Sequence, residues 1–97
     1  MTWIKTITPD QANPDLLAVY QSIRALYPPE YGGEPVPALL RPDGRCDSIV
    51  AAHSLMPAAM QHMMSGLAVM FQPHLPLTRQ QQEMIAAVVS ITNQCFY

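Results

Sequence analysis

The run Met56-Pro57-Ala58-Ala59-Met60-Gln61-His62-Met63-Met64-Ser65-Gly66-Leu67-Ala68-Val69-Met70 decides the fold class. Met56, Met60, Met63, Leu67 and Met70 recur at intervals of 4, 3, 4 and 3 residues, the heptad rhythm with which one helix packs along another. Pro57 suits the first position of that helix, and Pro73 and Pro76 end it. A further helix is expected to open at Thr78, whose hydroxyl pairs with Gln81 three residues on as a capping box. Met84, Ile85, Val88, Val89, Ile91 and Thr92 then predict a broad buried stripe. No useful stretch alternates with a period of two, and no internal repeat is visible. The reading is all-α.

Toward the N-terminus the same logic adds two more helices. Asp47 or Ser48 can start one that runs through Ile49, Val50, Ala52, His53 and Leu55 until Pro57 interrupts it. Earlier, Asn13 is placed to cap, Pro14 suits the first helical position and Asp15 favours the positive helix end. Leu16, Leu17, Val19, Tyr20, Ile23 and Leu26 follow at helical spacing, and Pro28 stops the run. Seven of the ten prolines lie within the first 42 residues. The segment 27–42 therefore reads as an extended Pro/Gly-rich loop, because each proline removes a donor and restricts the residue before it. The expected architecture is one domain over 1–97, a small bundle of about four helices with a Pro-rich N-terminal loop.

Composition narrows the function. Charged residues make up 12% of the chain, about half the usual share, while apolar residues reach 49%. That balance excludes a solvated disordered tail. In a chain of 97 residues, with much surface relative to volume, it points to burial against further copies or further sequence. The net charge is −2, and Lys5, Arg24, Arg41, Arg45 and Arg79 are scattered, so no nucleic acid partner is expected. No apolar stretch approaches the roughly 20 residues of a membrane span. No secretory signal opens the chain, so a cytoplasmic location is expected, with Cys46 and Cys95 as thiols. Neither cofactor nor metal is anticipated: His53, His62 and His74 are not spaced as ligand pairs on one helical face. The methionine stripe reads as core or subunit interface before it reads as an adaptable binding groove. Cys46, beside Asp47 at a helix start, reads as a buried, inert thiol.

The C-terminal stretch carries the chemistry. Glu83 is the only acidic residue after Asp47 and stands in an otherwise apolar helix; it is either a solvated first-turn residue or a placed functional group. Cys95 follows Thr92-Asn93, residues that favour caps and turns. The run Leu77-Thr78, Glu83, Ile85-Ala86, Val88-Val89-Ser90, Asn93, Cys95 and Tyr97 resembles the alkylhydroperoxidase D-like, or carboxymuconolactone decarboxylase, family, most closely its peroxidase-related branch. Glu83 and Cys95 match the first two positions of that family's Glu-x11-Cys-x2-Cys-x3-His signature, and Tyr97 matches an aromatic residue that often precedes the second cysteine.

The resemblance implies a helical, oligomeric dithiol peroxidase in which the second thiolate attacks a hydroperoxide and the resulting sulfenic acid condenses with the first thiol. Glu83 would be the relay carboxylate, Cys95 the resolving thiol, and Tyr97 a relay position where some members place a histidine. The implied partners are a small-molecule hydroperoxide, a dithiol reductant and other copies of the chain. The second cysteine and the histidine would follow Tyr97, so a truncated, inactive peroxidase-like chain is expected. Two other readings stand beside it: a carboxymuconolactone decarboxylase-like enzyme, and a non-catalytic helical oligomerisation unit.

Overall fold

A computed structural model describes residues 3–29, 37, 40, 42 and 48–95. Most of the Pro/Gly-rich loop at 27–42, together with Cys46 and Tyr97, lies outside the described residues. Those described contain three α-helices, two short 3-10 helices and no β-strand, in agreement with an all-α fold.

The first helix, α1, spans Pro14–Leu26. The Asn13 Oδ1 accepts the Leu16 N–H at 2.9 Å and Pro14 takes the first turn, so local chemistry alone sets its start. At the other end Tyr27 is already extended, as the proline after it requires. The helix α2 spans Pro57–Val69 and α3 spans Arg79–Thr92. Ahead of α1, Pro9–Gln11 forms a 3-10 turn.

The expected helix from Asp47 or Ser48 to Leu55 is a correction. Only a 3-10 turn forms, at Ala51–His53. Ser48 precedes it, its Oγ accepting the Ala51 N–H at 3.2 Å. Pro57 holds Met56 away from the α region, at φ −129° and ψ 76°, so too few residues remain for α-helix to propagate. Among the described residues three α-helices stand where about four were expected.

The core lies between α1 and α2. Leu16 and Ile23 meet Met60 and Met64, and Ile7, Val19, Tyr20, Tyr27 and Val50 close around them. Full burial of a side chain such as Met60 contributes roughly 1.5–3 kcal/mol. Polar groups align the two helices: Ser22 Oγ donates to Gln61 Oε1 at 2.5 Å, and Gln61 Nε2 donates to Ser65 Oγ at 2.8 Å. Gln72, beyond α2, donates to the Leu26 carbonyl at 3.1 Å and so satisfies an acceptor left open at the end of α1.

A second fastening holds the N-terminal segment. The Ile7 N–H donates to Ser54 Oγ at 2.8 Å, and the Tyr20 hydroxyl donates to the Ile7 carbonyl at 2.7 Å. Ser54 is fully buried, and these bonds are what make that burial tolerable.

One expected buried stripe, that of α3, is corrected, and the methionine stripe of α2, read as core or subunit interface, is core only in part. On α2 the buried positions are Met60, Met64 and Ala68, whereas Met56, Met63, Leu67 and Met70 are exposed. The helix is apolar over about half its circumference; α1 covers one flank, and the heptad pattern picks out the middle and the other flank. On α3 no residue is buried. Met84, Ile85, Val88 and Val89 are each more than half exposed, and Ile91 is 77% exposed. The more sheltered positions of α3 are Arg79, Gln82 and Ser90, on its polar side. The helix therefore presents its apolar side outward.

Candidate functional site

The start of α3 is fixed by reciprocal capping. The Gln81 N–H donates to Thr78 Oγ1 at 3.2 Å and the Thr78 N–H donates to Gln81 Oε1 at 2.9 Å, the pairing expected from the sequence. One turn on, Arg79 Nε donates to Glu83 Oε1 at 2.7 Å. The Arg79 guanidinium also stands 5.6 Å from the Phe71 ring centre, within cation–π range. Phe71 in turn leans on Tyr27, with ring centres 6.4 Å apart and planes at 35°. A continuous chain of contacts thus runs from the end of α1 to the Glu83 carboxylate.

Arg79 balances the charge of Glu83 and both groups are partly exposed, so the ion pair contributes little to stability. Beside them the turn between α2 and α3 encloses an open depression of about 320 Å³, lined by Phe71, Leu75, Leu77, Thr78, Arg79 and Gln82 among others. Neither Glu83 nor Cys95 lines it. Sequence reasoning missed this hollow; its one signal is the pair Pro73 and Pro76, which force the turn that shapes it.

Cys95 occupies the opposite end of α3. Gln94 adopts φ 51°; its N–H donates to the Ile91 carbonyl at 3.0 Å, and the Cys95 N–H donates to the Ser90 carbonyl at 2.8 Å. Those two bonds define a Schellman motif with Cys95 as its last member. The thiol is free and exposed, at the carbonyl end of α3 that carries partial negative charge. Glu83 lies in the second turn of α3, so roughly 15 Å of helix axis separates it from Cys95. Direct proton exchange needs heavy atoms about 3 Å apart, and α3 does not bring the two groups to that separation. Tyr97, the third candidate, lies outside the described residues, as does Cys46.

Displaced titration occurs elsewhere. Burial raises the Tyr20 phenol above its ordinary value, and a hydrogen bond with Ser54 opposes that shift. Burial alone raises Tyr27, whose hydroxyl faces Met64 Sδ at 4.0 Å. Both groups belong to the α1–α2 core rather than to α3. Among the histidines, His53 Nδ1 lies 2.8 Å from the Ile49 carbonyl, and a carbonyl accepts only, which fixes the proton on that nitrogen. His62 and His74 are exposed. Among the described residues no three His, Cys, Asp or Glu side chains are grouped to hold a metal ion. No described helix is long and apolar enough to cross a membrane. No family model, no curated protein and no solved structure matches the chain.

Proposed function

We propose that this chain carries the resolving half of a dithiol hydroperoxide-reducing site, of the alkylhydroperoxidase D-like kind, and that the 97-residue polypeptide alone turns over negligible hydroperoxide. The observation that carries the reading is the free, exposed Cys95 at the end of a capped helix, twelve positions after a carboxylate already oriented by Arg79. In the complete cycle a second thiolate attacks the hydroperoxide, giving an alcohol and a sulfenic acid. The Cys95 thiol displaces water from that sulfenic acid to form a disulfide, and a dithiol reductant returns both sulfurs to thiols. Exposure of Cys95 is what such a condensation requires, since the partner sulfur must approach to bonding distance. Glu83 serves the proton relay through water in this reading, with Tyr97 as a subsidiary relay group. Self-association, a cytoplasmic setting and the absence of nucleic acid from its partners belong to the same proposal.

The test supplies the second half of the motif. The chain is extended directly after Tyr97 by Cys-x-x-x-His and assayed for alkyl hydroperoxide consumption with a dithiol. The extended chain is expected to consume peroxide, Cys95→Ser to abolish that activity, and Glu83→Gln to reduce it by about 10²–10⁴-fold. An extended, folded chain that remains inert overturns the reading.

A second reading has its own observation. The outward apolar side of α3 and the uncovered flank of α2 suit a helical assembly unit with no catalysis. The decarboxylase-like alternative has no comparable feature in its favour.

A further inference from the structure

Six methionines are among the described residues, and the fold sorts them by access to water. Met60 is 0% exposed and Met64 4%, both packed with Leu16 and Ile23 of α1. The Tyr27 hydroxyl also faces the Met64 sulfur. By contrast Met56, Met63 and Met70 are 62, 57 and 61% exposed. Met56 and Met70 are the cap residues of α2, and Met63 stands midway between them. Residues seven apart share one side of a helix, so these thioethers form a row along roughly 20 Å of one flank.

We propose that Met56, Met63 and Met70 form a reversible modification site, oxidised by hydroperoxides to sulfoxides while Met60 and Met64 stay reduced, which turns this flank of α2 from apolar to polar without unfolding the chain. An exposed apolar position is filled as well by leucine as by methionine; what methionine adds is a nucleophilic sulfur. Its lone pair attacks the terminal oxygen of the hydroperoxide, the O–O bond breaks, and that oxygen stays on sulfur as the sulfoxide. Sulfur gives up two electrons and the peroxide accepts them. The departing alkoxide takes the proton of the terminal oxygen and leaves as the alcohol.

A thioether needs no prior ionisation, unlike a thiol, so access alone decides which sulfur reacts. The row offers that access and the core pair does not. Oxidation at Met60 would also set a polar S–O group among Leu16 and Ile23, a burial that costs heavily without a donor. On the exposed row the new oxygen is solvated, and at the two cap positions it lies outside the helical turns. The inference goes beyond the proposed dithiol chemistry and is independent of it, since no cysteine takes part.

The test treats the chain, its accessible thiols capped with N-ethylmaleimide, with tert-butyl hydroperoxide at low micromolar protein and maps the oxygen by tandem mass spectrometry. Met56, Met63 and Met70 are expected to react within about threefold of one another, and Met60 and Met64 at least about a hundredfold more slowly, because their oxidation waits on opening of the α1–α2 pair. Met84, 53% exposed on α3, is expected to react with the exposed set. Oxidation of Met60 or Met64 at the pace of the row, loss of the helical circular dichroism, or resistance of the row relative to N-acetylmethionine amide overturns the proposal. The oxidised chain is expected to elute earlier from a hydrophobic-interaction column. It should return to its first position once a dithiol and the two sulfoxide reductases, one for each sulfur epimer, are added. A variant with Met56→Leu, Met63→Leu and Met70→Leu keeps volume and helix propensity and is expected to shift much less. An equal shift in that variant, no shift in the parent, or a shift that the reductases leave in place counts against the switch. Were the variant not to fold, the site map of the parent chain still decides the matter.

Discussion

At the scale of the residue, Gln94 and Tyr20 bear the sharpest consequences. Gln94 holds φ 51°, a left-handed conformation that glycine adopts without the penalty a Cβ brings. Gln94→Gly is expected to stabilise the end of α3 by about 0.5–1 kcal/mol, read as a rise in the helical signal of a thermal melt. Tyr20 donates to the Ile7 carbonyl, and Tyr20→Phe is expected to cost about 1 kcal/mol at neutral pH in urea unfolding. The folded state raises the Tyr20 pKa, so the neutral phenol is the form that folding favours. That contribution is fully present below the ordinary phenol value of about 10 and is lost as pH rises through the higher folded value. The gap between the parent chain and Tyr20→Phe should therefore narrow in strong alkali. The sequence put Tyr20 on the apolar side of α1 but signalled neither its hydrogen bond nor the conformation of Gln94. Ser54 and Tyr20 meet Ile7 across 47 and 13 positions, and no local pattern encodes such a meeting.

At the scale of the element, the sequence was most readable where a few neighbouring residues settle the outcome. Asn13-Pro14 opened α1, Pro57 opened α2 and Thr78 with Gln81 opened α3, each as its side-chain chemistry dictates. Thr78→Ala removes the acceptor of the Gln81 N–H and is expected to cost about 1 kcal/mol, seen as fraying of the first turn of α3 in residue-resolved hydrogen exchange. The burial pattern was less readable. Periodicity reports that a side of a helix is apolar but not which neighbour, if any, covers it; Met64 and Ala68 took the places expected for Met63 and Leu67. Of the candidate site, sequence located Glu83 and Cys95 on one helix and one turn beyond it. Their separation along the axis follows from the helix itself, but the partnering of Glu83 by Arg79 was not foreseen, although the two stand four positions apart.

At the scale of the molecule, the chain divides into a packed pair, α1 with α2, and a third helix whose apolar side is bare. Cooperative units of this kind open at different free energies. Amides of Leu16–Ile23 and Met60–Ala68 are expected to exchange slowly at every concentration, and those of Met84–Ile91 to become protected only as the chain is concentrated. Equal protection of all three helices at high dilution would contradict that division. The fastening of Ile7 to Tyr20 and Ser54 has a consequence of a different kind. It is a mooring point: the backbone at Ile7 is tied to Tyr20 of α1 and to Ser54, so a dye attached at Ile7 itself reports on the α1–α2 pair as a rigid body. An aminopeptidase trimming inward should accordingly halt just short of it.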